Sequence, residues 1–206
     1  MTLLALLRHA ETDWTASRRL QGRTDIPLSA GGRQVLAGRR VPSTWRHVRV
    51  LSSPLLRCTQ TAACLGLADV RLEPRLVEMS WGTWEGCTLA SLRETLGDSM
   101  RDNEALGMDF RPAGGESPRE VLHRLQPWLQ ALGSAGQPAL AISHRGVMRV
   151  VFASATGWDL CGKPPARLDW SCLQLFEVDA QGRARVLQLN VPLDLASRTV
   201  AAQPGT

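Results

Sequence analysis

Arg8-His9 and His144-Arg145-Gly146 each stand just past an apolar run, Leu3-Leu4-Ala5-Leu6-Leu7 and Ala139-Leu140-Ala141-Ile142, and Arg57 follows a third run that ends at Leu51. Taken singly, each has an ordinary use: a strand-end histidine caps or packs, and an arginine near a helix start is a solvated surface charge. Together they are harder to dismiss. Two histidines and two arginines closing on one crevice repel each other unless an anion lies between them, and phosphate is the anion that guanidinium forks grip in paired hydrogen bonds. A neutral imidazole nitrogen facing phosphorus can act as nucleophile, and the covalent intermediate it forms splits one hard displacement into two easier ones.

Such convergence needs strands that end side by side. Residues 2–7, 47–52 and 138–143 read as strands, each followed by a segment with helix-start chemistry. Helices are predicted over about 30–40 behind the cap Ser29, about 54–66 with Pro54 in the first turn, about 88–98, about 117–133 and about 145–156. Ser117, Pro118 and Glu120 place a cap, an N1 proline and a capping-box acid in a row. Two late strands, about 171–178 and 183–190, form a hairpin around Asp179-Ala180-Gln181-Gly182. Strands alternating with helices predict a three-layer α/β/α sandwich, with a mostly parallel central sheet and helices on both faces, in one domain over 1–206 whose last residues, about 197–206, are loose. In such sheets ligands gather beyond the carboxyl ends of the strands. His9, Ser53 to Arg57 and His144 all fall there.

Competing chemistries fail on particular residues. Gly157-Trp158-Asp159-Leu160-Cys161-Gly162-Lys163-Pro164 follows the P-loop pattern up to its last position, where Pro164 has neither a magnesium-holding hydroxyl nor a backbone N–H, and the segment follows a helix-like stretch where a strand is required. His47 and His123 stand apart without ligand spacing, and the five cysteines Cys58, Cys64, Cys87, Cys161 and Cys172 are odd in number and scattered, so neither a zinc site nor a disulfide framework is expected. The net charge of +5 comes almost wholly from arginine, Lys163 being the single lysine, without a basic block or interleaved aromatic residues. That argues against nucleic acid as partner. With no signal-like segment and no apolar window of membrane-spanning length, a soluble, cytoplasmic protein without membrane contact is expected.

The run Leu7-Arg8-His9-Ala10-Glu11-Thr12 resembles the R-H-G-E-T signature of the histidine phosphatase superfamily, the phosphoglycerate mutase-like proteins. The resemblance continues through Gln21-Gly22-Arg23-Thr24-Asp25, Ser52-Ser53-Pro54-Leu55-Leu56-Arg57, Glu78-Met79-Ser80-Trp81-Gly82-Thr83-Trp84-Glu85-Gly86, Gly114-Gly115-Glu116-Ser117 and Ser143-His144-Arg145-Gly146, in the family's order. It implies His9 as nucleophile, Arg8 and Arg57 as phosphate grips, His144 as a donor to a phosphate oxygen and Glu78 as the acid that protonates the leaving oxygen, with no cofactor and no metal. Two positions depart from the pattern. Ala10 replaces the usual glycine, and Thr15 stands where much of the family has a phosphate-touching asparagine, its hydroxyl having the shorter reach. The Arg145 backbone N–H, at a helix start, is a further phosphate contact.

The blocks are most like the small phosphatase branch that includes α-ribazole-phosphate and broad-specificity phosphatases. Hydrolysis of a small phosphorylated metabolite, releasing inorganic phosphate, is therefore expected from a monomer or homodimer; a phosphoglycerate mutase-type transfer, or phosphate binding without turnover, is the alternative. A mutase must keep water from its phosphohistidine, which takes closing segments for which this chain has little room. Gln21 and Gly22, with Arg23, Thr24, Trp81 and Trp84, are expected above the pocket, the two tryptophans being equally suited to a core because tryptophan buries a large area wherever it stands, and Met100, Leu106, Met108 and Phe110 are expected at an apolar entrance.

Overall fold

Register brings the three strand ends together. The computed structural model describes residues 1–195 and contains, in order, β1 (Thr2–Arg8), α1 (Asp13–Ala16), α2 (Ala30–Leu36), β2 (Arg39–Arg40), β3 (Arg49–Ser52), α3 (Leu56–Cys64), β4 (Arg71–Leu72), α4 (Leu89–Leu96), α5 (Asp98–Glu104), α6 (Pro118–Ala135), β5 (Ala139–Ser143), α7 (Arg145–Thr156), β6 (Leu173–Val178), β7 (Ala184–Val191) and β8 (Asp194–Leu195). The main sheet has the order β4-β3-β5-β1-β6-β7, in which β4, β3, β5 and β1 are parallel while β6 and β7 are antiparallel to their neighbours. Arg8 pairs with Ser143 and Ser52 with Ile142, so the residues that follow all three strands emerge at one edge. The His9 N–H donates to Ser143 O at 3.0 Å, which extends the ladder one residue and sets His9 beside His144.

Both sheet faces are buried, and the strands show it by alternating core membership. Leu4, Leu6, Ala139 and Ala141 face one core with Val121, Leu125, Leu129 and Leu132 of α6 and Val147, Val150 and Val151 of α7. Ala5, Leu7, Leu140 and Ile142 face the other, with Leu36 of α2 and Cys58 and Ala62 of α3. The expected three layers are present. Helix α6 begins at the expected capping box, Ser117 Oγ accepting from the Glu120 N–H at 3.2 Å and Glu120 Oε2 from the Ser117 N–H at 2.9 Å. It ends at Gly136 in the left-handed conformation.

Some boundaries differ from expectation. Helix α2 stops at Leu36 because Gly38, at φ +74°, turns the chain so that Arg39–Arg40 pair with Asp194–Leu195 in a separate two-stranded sheet. Helix α3 starts at Leu56, after Pro54, where Asp25 Oδ1 accepts from the Leu56 N–H at 2.8 Å. That cap comes from a distant loop and cannot be read from local sequence. The two-residue β4 and helix α5 were not expected. The segment predicted to be a loose tail, 197–206, lies outside the described residues.

Candidate active site

His9 sits where β1 ends, 5% exposed, with Nδ1 2.7 Å from the carbonyl oxygen of Ala10. A carbonyl accepts only, so Nδ1 carries the ring proton and Nε2 keeps its lone pair. Burial, followed by the charges of Arg8 and Arg57, holds this imidazole well below the ordinary histidine range against the opposing effect of the Ala10 bond. The ring is thereby a neutral base with one nitrogen available. The Ala10 N–H donates to Thr61 Oγ1 at 3.0 Å, and Thr61 donates to Arg57 O at 2.7 Å, which ties the turn after His9 to α3.

Arg57 is fully buried on the first turn of α3. Its Nε donates to His144 Nδ1 at 3.2 Å, Nη1 to Thr24 O at 3.1 Å and Nη2 to Gly22 O at 2.7 Å. Five N–H groups minus these three leave two for a ligand. Because Nδ1 of His144 accepts, its proton is on Nε2 and is given to Ser53 Oγ at 2.8 Å. Burial, then Arg57, keeps His144 well below the ordinary range, so this ring is also neutral. The two imidazoles meet edge to face with centroids 5.2 Å apart. Beneath them the Cys58 Sγ is 3.5 Å from His144 Nε2, and burial pushes its thiol far up, leaving it protonated and inert.

The loop at 22–24 is clamped from both sides of its backbone. Arg57 takes the carbonyls of Gly22 and Thr24, while the carboxylate of Glu85 accepts the N–H groups of Arg23 and Thr24, each at 2.8 Å, and the Thr24 hydroxyl. Burial raises Glu85, but the bonds from Thr24 and Arg23 outweigh it and its carboxyl lies below the ordinary range. A Cβ at Gly22 would stand 2.1 Å from Glu85 Oε1 and 2.9 Å from Met79 O, so any larger residue here displaces the carboxylate that holds the loop or crowds the backbone. Arg23 is paired with Glu116 at 2.8 Å. Arg23 and Thr24 thus hold the loop together. Gln21 differs: its Oε1 accepts from Thr12 Oγ1 at 2.8 Å, but its Nε2 is buried without a partner among the described residues. The Nε of Arg8 is in the same condition. Arg49 Nε, at the opposite end of β3, is likewise unpartnered; at the site, an anion would satisfy the donors of Arg8 and Gln21.

Thr15 borders the same cleft as Arg8 and His9. Its hydroxyl is occupied in the capping box of α1, accepting from the Thr12 N–H at 2.9 Å and donating to Thr12 O at 3.0 Å. Glu78, 6% exposed, accepts from the Met79 N–H at 2.8 Å and, through Oε2, from the Gly146 N–H at 3.0 Å. The N-cap residue of α7, His144, has no side-chain cap, so Glu78 supplies the capping acceptor from another part of the chain. Arg145, first residue of α7, stacks its guanidinium on Trp170 at 5.3 Å from the ring centroid.

The structure therefore gathers Arg8, His9, Gln21, Gly22, Arg57, Glu78 and His144, with Thr15 and Arg145 on the cleft wall. Of the four residues expected at an apolar entrance, Met100 is buried with Trp84 and Leu92 and Phe110 packs on Trp81 and Trp84 at centroid distances of 5.8 and 5.9 Å, while Leu106 is exposed and Met108 half-buried. Ser53 was expected at the ligand end of the sheet but without a role, and Thr61 and Glu85 belong to the site and were missed as site residues. A carboxylate between Trp84 and Gly86 was the one signal in the sequence that could have pointed to Glu85.

Among the described residues no helix is long and apolar enough to cross a membrane. Compared with known proteins, the chain is 28% identical to phosphoserine phosphatase 1 of Hydrogenobacter thermophilus, over 98% of each chain. It is 34% identical to a probable phosphoglycerate mutase, GpmB, of Proteus mirabilis over 76% of each. Among solved structures, TTHB049 of Thermus thermophilus superposes with a TM-score of 0.67 at 32% identity, covering 92% of this chain and 99% of that one. The family model for the histidine phosphatase superfamily (branch 1) matches residues 4–192, and the chain belongs to that superfamily.

Proposed function

We propose that this chain hydrolyses a phosphomonoester through a phosphohistidine formed on Nε2 of His9. The observation that supports this best is the fixed tautomer of His9, its Nδ1–H held by Ala10 O, beside the unpartnered donors of Arg8 and Gln21. Nε2 attacks phosphorus, the P–O bond to the leaving group breaks, and Glu78 gives its proton to the departing oxygen. Glu78 then takes a proton from water as that water displaces phosphate from His9. Arg8, the two unused N–H groups of Arg57, Gln21 and the Arg145 N–H hold the phosphoryl oxygens. His144 Nδ1 accepts from Arg57 Nε and its Nε2–H goes to Ser53, so the neutral ring braces Arg57; for it to donate to the phosphoryl group, as the resemblance implies, Nδ1 must take a proton and the Arg57 Nε–H must turn to the ligand.

The mutase reading rests on the likeness to GpmB. Against it, the chain has little room for the closing segments a mutase needs, and within 99–112 Met100 and Phe110 pack with Trp84. Rapid-quench turnover of phenyl phosphate in EDTA tests the proposal. One acid-labile, alkali-stable phosphoryl group per chain, lost in His9→Ala together with turnover, is expected; turnover that needs added metal, or that survives His9→Ala, overturns it.

A further inference from the structure

The charges of the cleft exceed what one phosphoryl group requires. Among the described residues, Arg23, Arg46, Arg75, Arg93, Arg101, Arg111, Arg119, Arg124, Arg183 and Arg185 each pair with a carboxylate. The five arginines that line the cleft, Arg8, Arg18, Arg19, Arg39 and Arg145, form no ion pair among the described residues; Arg33, Arg40, Arg49, Arg57, Arg71, Arg149 and Arg167 elsewhere also form none, and what sets the cleft apart is that five gather there beside one carboxylate, Glu11, with Arg19 donating to Gly86 O at 3.2 Å. Arg8 and Arg145 belong to the end where His9 stands. Arg18 and Arg19 come from the turn after α1, and Arg39 from β2. Unpaired cations assembled in one concavity raise each other's energy, and an anion of matching extent relieves that.

The cleft is also large, 1020 Å³, at the upper end of the roughly 300–1,000 Å³ that encloses drug-sized ligands. A three-carbon leaving group occupies a small part of it. Its walls include Val35, Leu36, Leu89, Trp170 and Leu193, apolar surface that such a leaving group leaves bare.

We infer that the substrate's leaving group is bulky and carries a second anionic group, a carboxylate or further phosphate, held by Arg18, Arg19 and Arg39 while its body lies on the apolar wall. This rests on the hydrolase reading for its chemistry, but the binding claim can fail or stand separately. The test compares kcat/KM for phenyl phosphate, 4-carboxyphenyl phosphate, 2-naphthyl phosphate and 6-carboxy-2-naphthyl phosphate. The carboxylate is expected to raise kcat/KM about tenfold or more, with the larger gain on the naphthyl ester. In Arg18→Gln/Arg39→Gln the gain falls towards onefold while phenyl phosphate turnover is kept. Equal rates for acid and parent ester, or a gain that survives the double variant, overturns the inference. Calorimetric affinities of the same esters for His9→Asn protein give the ratio without turnover. If wild-type protein hydrolyses none of the esters, the hydrolase reading fails, and the affinity ratio alone decides whether the second anion site exists.

Discussion

Nε of Arg57 lies 3.2 Å from Nδ1 of His144, and that contact links phosphate grip, second histidine and substrate loop. The same guanidinium reaches Gly22 O and Thr24 O, so the side chain is a fixed bracket before any ligand arrives. Arg57→Lys keeps the charge and loses the fork. A buried carbonyl, a half-buried one and an imidazole nitrogen then compete for a single ammonium. Hydrogen bonds to charged groups are worth about 1.5–3 kcal/mol each, so a stability loss of about 3 kcal/mol is expected by urea denaturation. A fall in kcat/KM of at least about 100-fold is expected with it. A lysine variant as active as the parent would show that charge alone suffices.

Glu85 acts on the other side of that loop. Glu85→Gln keeps size and removes the charge and half of the acceptor capacity, leaving N–H groups of Arg23 and Thr24 short of a partner. Because Glu85 positions Arg57 through the loop carbonyls and touches no reacting atom in the proposed mechanism, the expected effect is on KM first. A rise of about tenfold, about 1.4 kcal/mol, with kcat within a few fold is in the range of one or two hydrogen bonds to a charged group. An equal fall in kcat with KM unchanged would contradict a positioning role.

Strand alternation, the helix caps and the residues after each strand were legible in the sequence because each is a local signal: Ser117 and Glu120 are three positions apart, and Arg8 adjoins His9. What could not be read depends on contacts between distant segments. Asp25 caps α3, Glu78 caps α7 and Glu85 holds the loop at 22–24, all across gaps of 31 to 68 residues. Ala10 and Thr15 show the same limit within a recognised motif. Ala10 O fixes the His9 tautomer, a backbone contact that the glycine of the family pattern can make equally, and Thr15 spends its hydroxyl on Thr12. The two tryptophans divided between roles could be placed only by packing, which put Trp84 in a small core with Met100.

The histidines make stability depend on pH in a defined window. Both His9 and His144 are held well below 6.5 when folded, burial being the largest cause in each. The unfolded chain takes up their protons as pH falls through about 6.5 while the folded chain does not, so more protons are bound in the unfolded state and stability falls with decreasing pH. The slope is up to about 1.4 kcal/mol per pH unit for each ring. Carboxyls held low by hydrogen bonds, such as Glu85, titrate further down and add their own loss there. Urea melts between pH 8 and 5 should therefore show a plateau above about 7 and a decline below it, halved in His9→Asn. A decline of unchanged slope in that variant would show that His9 is not held neutral.

Gly146 tests the acid without altering it. A Cβ on Gly146 would lie 2.4 Å from Glu78 Oε1, closer than real side chains approach, and a tight 3.1 Å from its carboxyl carbon. Gly146 is the second residue of α7, where alanine is otherwise a good helix former and raises no backbone objection. Gly146→Ala therefore leaves the helix intact and pushes the Glu78 carboxyl from its place at the helix start. The expected result is a loss of about 10²–10³ in kcat on alkyl phosphates, whose leaving oxygen needs the proton, with a much smaller loss on 4-nitrophenyl phosphate, whose leaving group departs without one. Thermal unfolding should shift by only a few degrees, consistent with about 1 kcal/mol. Equal losses on both esters would mean that the glycine matters for the shape of the phosphate site and that Glu78 does not deliver the proton.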